Sequence, residues 1–167
     1  MKNAGVRKLT YMAVLTAVAL TIFVLEAQLP PLAPVPGIKL GLANIITVYA
    51  VFALGPGPAA MILLARVLLG SLFSGGMTIF YSLSGGLCCY VVSVLIARVL
   101  TEKQMWVCSV LGAVAHNIGQ IGAAVFITRT PAIAAYLPVL MVSGILTGLF
   151  TGLCAQFLLA RLKKLKK

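Results

Sequence analysis

The chain reads as long apolar runs separated by short stretches of proline, glycine and charge. A helix that crosses a bilayer needs about 20 apolar residues. Six runs meet or approach that length and predict helices near 9–29, 38–54, 58–73, 77–100, 105–127 and 132–159. The breakers fall between them. Pro30, Pro31, Pro34, Pro36 and Gly37 make the first loop, and Gly55-Pro56-Gly57-Pro58 turns the second helix into the third. Ser74-Gly75-Gly76 follows the third helix, and Arg129-Thr130-Pro131 precedes the sixth. The first apolar run follows basic residues, as in a signal peptide. It is long and lacks a small-residue cleavage site, so it is read as a retained helix. Ala-Arg recurs at 65–66, 97–98 and 160–161, but its flanks differ and no inverted repeat follows from it. The expected fold is an all-α membrane protein, one six-helix bundle formed by residues 1–167.

Composition agrees. The chain is 62% hydrophobic and only 9% charged, against about 25% in an average soluble domain. Thirteen Lys and Arg face two acidic residues, Glu26 and Glu102. The basic residues form no stripe with interleaved aromatics, which argues against a nucleic-acid partner. They gather at the chain ends and beside alternate loops. With the N-terminus in the cytoplasm, ten lie inside: Lys2, Arg7, Lys8, Arg98, Lys103, Arg161, Lys163, Lys164, Lys166 and Lys167. Only Lys39 and Arg129 lie outside, and Arg66 falls within the third helix. Both termini are therefore expected in the cytoplasm. The basic tail anchors this topology or touches anionic lipid or a partner. Cys88, Cys89, Cys108 and Cys154 sit in apolar stretches without a CxxC and read as small buried side chains.

Polar groups deep in an apolar bundle are costly and usually face a cavity or a partner. Arg66 is the clearest, about 12 Å from each end of its helix. It either pairs with carbonyls or Glu26, or binds an anionic ligand group. Glu26 closes the first helix and Lys39 opens the second across the proline loop, where an ion pair is the simplest arrangement. Lys39 and Arg66 together outnumber Glu26, which favours a carboxylate or phosphate ligand. His116, Asn117 and Gln120 form a partial polar face through i,i+4 and i,i+3 spacing, and Asn44 can join them. Gly112 and Gly119 on the same helix admit a neighbouring backbone. His116 has no recognisable partner ligands, so no metal site and no cofactor are expected. The first loop, with four prolines in residues 30–37, suits either a semi-rigid cap over a cavity or a plain connection. Ala13 and Ala17, extended by Thr10 and Thr21, make a small-residue stripe that packs inside the bundle or against another protein.

Residues Pro36-Gly37-Ile38-Lys39-Leu40-Gly41-Leu42-Ala43-Asn44-Ile45, the Gly55-Pro56 turn, and Ala65-Arg66 through Gly70-Ser71-Leu72 resemble a bacterial membrane family. It is known as Gx transporters or heptaprenyl diphosphate synthase component I, and the likeness covers nearly the whole chain. That family is similar in turn to the substrate-binding S components of energy-coupling-factor (ECF) transporters. The resemblance implies ligand capture near the outer face, under loops. It also implies a coupling transmembrane subunit, met through Ala13 and Ala17, and two cytoplasmic ATPases. No biotin, thiamine or riboflavin signature is present.

The leading expectation is a non-enzymatic substrate-capture subunit in the bacterial cytoplasmic membrane, taking a small anionic vitamin- or isoprenoid-like metabolite. The chain has no Walker A loop, so energy for active uptake would come from its partners. The alternative is a noncatalytic membrane partner of a polyprenyl diphosphate synthase. Catalytic prenyl synthases hold Mg²⁺ through aspartates, magnesium requires hard oxygen ligands, and this chain has no aspartate. An intramembrane serine protease using Ser84 and His116 is a third reading; it would need the two side chains within hydrogen-bond reach.

Overall fold

The computed structural model of the protein describes residues 2–29, 38–74 and 76–165. Six α-helices follow one another: α1 (Lys2–Glu26), α2 (Asn44–Leu54), α3 (Pro56–Ser74), α4 (Gly76–Ile96), α5 (Met105–Thr128) and α6 (Leu137–Leu165). Short 3-10 segments, Glu102–Gln104 and Pro131–Tyr136, lead into α5 and α6. No strand occurs among the described residues. Five of the helical segments are long and apolar enough to cross a membrane: Gly5–Glu26, Pro56–Phe73, Gly76–Ile96, Glu102–Thr128 and Pro131–Lys164. Their outward faces carry Leu72, Phe80, Phe126 and Phe150, all well exposed. A soluble surface would not tolerate so continuous an apolar coat, so the fold is that of a multi-pass membrane protein.

The second helix departs from expectation. It was expected over 38–54, but α2 has 11 residues and spans only about 16 Å. Gly41 causes the difference. Its φ is +80°, a left-handed conformation that breaks a right-handed helix and that glycine adopts without penalty. Residues 38–43 therefore form a non-helical lead-in, and the helix starts through tight bonds from Asn44 N to Gly41 O (2.9 Å) and Ile45 N to Leu42 O (3.1 Å). α2 packs against all five other helices, and Asn44 and the run Ile46–Val51 are buried. A helix that is apolar on every side belongs in the interior. Gly55, with φ +88°, closes it by donating to Ala50 O and Val51 O, and α3 begins at once at Pro56.

Other boundaries shift for local reasons. α1 starts at Lys2, well before its apolar run, because basic side chains are good helix formers and extend outward from a membrane surface. α4 ends at Ile96, four residues before the expected limit of 100, in the turns at 97–99. The sixth segment opens as a 3-10 turn at Pro131 and becomes α-helical at Leu137. Pro138 then occupies the first helical turn, where its missing N–H costs nothing.

Helices α4, α5 and α6 pack most closely. The approach expected at Gly112 and Gly119 is made by α4: a methyl group at Gly119 would stand 2.9 Å from the Ser84 carbonyl oxygen. A comparable seam joins α6 to α5, where a methyl group at Gly152 would stand 2.6 Å from Trp106 Cα. Cys89 and Cys108 are buried, Cys88 is half-buried, and Cys154 is exposed on α6. The expectation of a buried Cys154 is thus corrected: its position falls on the outward face of α6.

Candidate functional site

α1, the lead-in segment, α2, α3, α4 and α5 converge around one group of polar side chains. Glu26 comes from the last residue of α1, Asn44 from the first of α2, Arg66 from the middle of α3, and His116 and Gln120 from α5. The lead-in segment ties them together. Gly41 N donates to Glu26 Oε1 at 2.5 Å, and Lys39 N donates to Gln120 Oε1 at 3.2 Å. Side chains thus satisfy backbone donors of a segment that has no helical ladder to pair them. In a membrane interior, non-helical backbone is tolerated only where protein or a water-filled cavity satisfies it.

Arg66 meets Asn44 rather than Glu26. Its Nη2 donates to Asn44 Oδ1 at 3.2 Å, and among the described residues no ion pair joins it to Glu26. Arg66 is 3% exposed, Asn44 4% and His116 2%. Even so, Arg66 Nε, Asn44 Nδ2 and both ring nitrogens of His116 have no hydrogen-bond partner among the described residues. Folded proteins pair the large majority of such atoms. Here several face one another: a methyl group at Gly41 would lie 2.6 Å from His116 Cδ2 and 2.7 Å from Asn44 Nδ2.

The walls of this knot are ordinary residues that sequence reasoning passed over. Gly85 backs the His116 ring and Gln120, and a methyl group there would stand 2.7 Å from each. Gly86 borders Arg66 Nη2 in the same way, at 3.5 Å. The Gly85-Gly86 pair within an apolar helix was the available signal. Phe23 carries the Lys39 ammonium over its ring at 3.4 Å from the centroid, a cation–π contact that no spacing rule announces. Burial pushes the Lys39 ammonium down to about 8; the Glu26 carboxylate opposes that shift and the Arg66 charge adds to it.

Asn117 lies apart. Its Nδ2 donates to Leu140 O of α6 at 2.5 Å, so it belongs to the α5–α6 contact rather than to the knot. One residue turns a helix by about 100°, enough to separate Asn117 from His116. The proline loop, residues 30–37, lies outside the described residues.

The matching family is described as heptaprenyl diphosphate synthase component I, and the match covers residues 15–158. The chain belongs to that family. No curated protein and no solved structure matches the chain. Ala13 and Ala17 are exposed and line a groove of about 410 Å³ between α1 and α3. The stripe therefore faces outward rather than into the bundle. Thr10 and Thr21 spend their hydroxyls inside α1, each donating at 3.0 Å to the carbonyl four residues earlier. Ser84 Oγ donates to Gly119 O at 2.8 Å instead of reaching His116.

Proposed function

We propose that this protein is the substrate-capture subunit of an ECF-type uptake system in the bacterial cytoplasmic membrane, with both termini in the cytoplasm. Its ligand is a small anionic metabolite of vitamin or isoprenoid type. The observation that carries this reading is the set of almost fully buried donors left without partners around Arg66. A buried arginine held by one neutral amide is poorly compensated, and an incoming carboxylate or phosphate completes its hydrogen bonding. Arg66 presents Nε beside a second nitrogen, the fork geometry suited to such oxygens. Asn44 Nδ2 adds a donor, His116 selects between ligands that offer or accept a proton, and Lys39 adds a second positive charge. Glu26 and Gln120 hold the lead-in segment in place. The family's description as a component agrees with a protein that works alongside another subunit. In this reading the outward Ala13–Ala17 face meets the coupling subunit, and two cytoplasmic ATPases supply energy.

The test is purification of the intact protein from its host in mild detergent, with mass spectrometry of co-purifying chains and small molecules. Recovery of a membrane coupling subunit, ATPases and a bound anionic metabolite is expected. Recovery of a soluble prenyl synthase alone would sink the transport reading and make the chain that enzyme's membrane partner.

A further inference from the structure

Where α1 begins and α2 and α6 end, far from Glu26, a second cavity of about 940 Å³ opens between the helices. That is near the upper limit of small-molecule sites, roughly 300–1,000 Å³. Its mostly apolar bore is lined by Val14, Leu54, Leu159 and Leu162 beside the paired Tyr11 and Tyr49, and Arg7 and Lys8 stand at its rim. Both cations are exposed, and among the described residues neither makes an ion pair. Lys163, also at the rim, is already engaged by Glu102. Val14 is 54% exposed, so the bore is open sideways to the surface that lipid covers. A cationic mouth at the level of the helix ends, above an apolar bore open to the hydrocarbon, is complementary to an amphiphile with an anionic head. Basic pockets between transmembrane helices hold anionic lipid headgroups in this way.

We infer that this cavity binds one anionic phospholipid. The phosphate lies between Arg7 and Lys8, and an acyl chain runs along Val14, Leu159 and Leu162. The site is separate from the Arg66 knot, and it stands whether or not that knot captures a transported ligand.

The experiment is native mass spectrometry of the full chain in mild detergent with equimolar phosphatidylglycerol and phosphatidylcholine of identical chains. One phosphatidylglycerol is expected to be retained preferentially. The Arg7→Gln/Lys8→Gln double variant should lower its retention by about 25-fold, since each cation near a membrane surface contributes roughly fivefold. The Arg161→Gln/Lys164→Gln pair removes the same charge from the same end but outside the cavity lining, and should change retention little. Val14→Trp/Leu162→Trp fills the bore with both rim charges intact and should abolish retention. Circular dichroism and elution volume confirm that each variant is folded. Equal retention of the two lipids would overturn the inference, as would equal effects of the two charge pairs, which would indicate only a diffuse surface field. Displacement of the lipid by inorganic phosphate alone would also overturn it, because the tail would then contribute nothing.

Discussion

In the half of the bundle where α1 finishes, Glu26, Arg66, Asn44, His116 and Gln120 are buried and Lys39 is half-buried over Phe23. At the end where the described chain starts and stops, Arg7, Lys8, Arg98, Lys103 and Lys164 are exposed, and the interior beneath them is apolar. Charge at the exposed end costs little. Charge at the buried end must be offset by specific partners, and the protein supplies only some of them. The comparison teaches where to look for chemistry: thirteen cations are spread along this chain, yet it is the incompletely partnered Arg66 that marks the proposed site.

Matched substitutions at the two ends break or sharpen the contrast. The largest effect is expected for Gly41→Ala, which combines backbone strain of about 1–3 kcal/mol with overpacking of about 1–3 kcal/mol against His116. Thermal unfolding in detergent should show a clear loss of stability. Gly57→Ala at the opposite end, where a methyl group meets nothing within 4 Å, should be close to neutral. If both variants melt alike, the lead-in segment does not have the constrained role described here.

Next is Arg66→Ala, expected to weaken binding of the co-purified anion by at least about 2 kcal/mol, roughly 30-fold, while leaving the bundle assembled. Normal affinity would make Arg66 structural and remove the proposed site. Glu26→Gln should act in the opposite direction. The amide retains an acceptor for Gly41 N but removes the opposing charge, so anion affinity should rise by several-fold in isothermal titration; a fall would mean that the carboxylate itself contacts the ligand.

Lys39 gives a pH signature. Its ammonium is the form present below about 8, so anion affinity should decline as pH rises through that value. A loss of roughly fivefold is expected, given about 1 kcal/mol for a solvent-screened charge pair. Lys39→Arg stays protonated and should flatten the profile. The smallest effect is expected at the other end. Tyr49→Phe removes the hydroxyl contact with Tyr11, 2.5 Å long, and should cost about 0.5–1.5 kcal/mol in stability with no change in ligand affinity.

Much of this architecture was legible because a bilayer imposes length. Five long helices lie close to the apolar runs that announced them, and Glu26, Lys39, Asn44, Arg66, His116 and Gln120 stood out as polar residues in apolar surroundings. The lead-in segment was misread because Ile38, Leu40 and Leu42 continue the hydropathy of α2. Hydropathy carries no information about the φ of Gly41. Asn117 was grouped with His116 because spacing along a helix gives angular separation but not which neighbour each face meets; here α6 claims it. Phe23 was invisible, since a phenyl ring in a membrane helix is unremarkable until a cation lies against it, and Gly85 was announced only by its pairing with Gly86.

The bond from Lys39 N to Gln120 Oε1 joins residues 81 positions apart, which sets a schedule for biogenesis. Glu26 is already synthesised when the lead-in segment leaves the ribosome, and it can engage Gly41 at once. Gln120 does not yet exist. The bond between Lys39 N and Gln120 therefore cannot form until α5 has been made, and the knot closes only then. The part of the molecule with the most chemistry is thus completed late in the chain, with only α6 still to come.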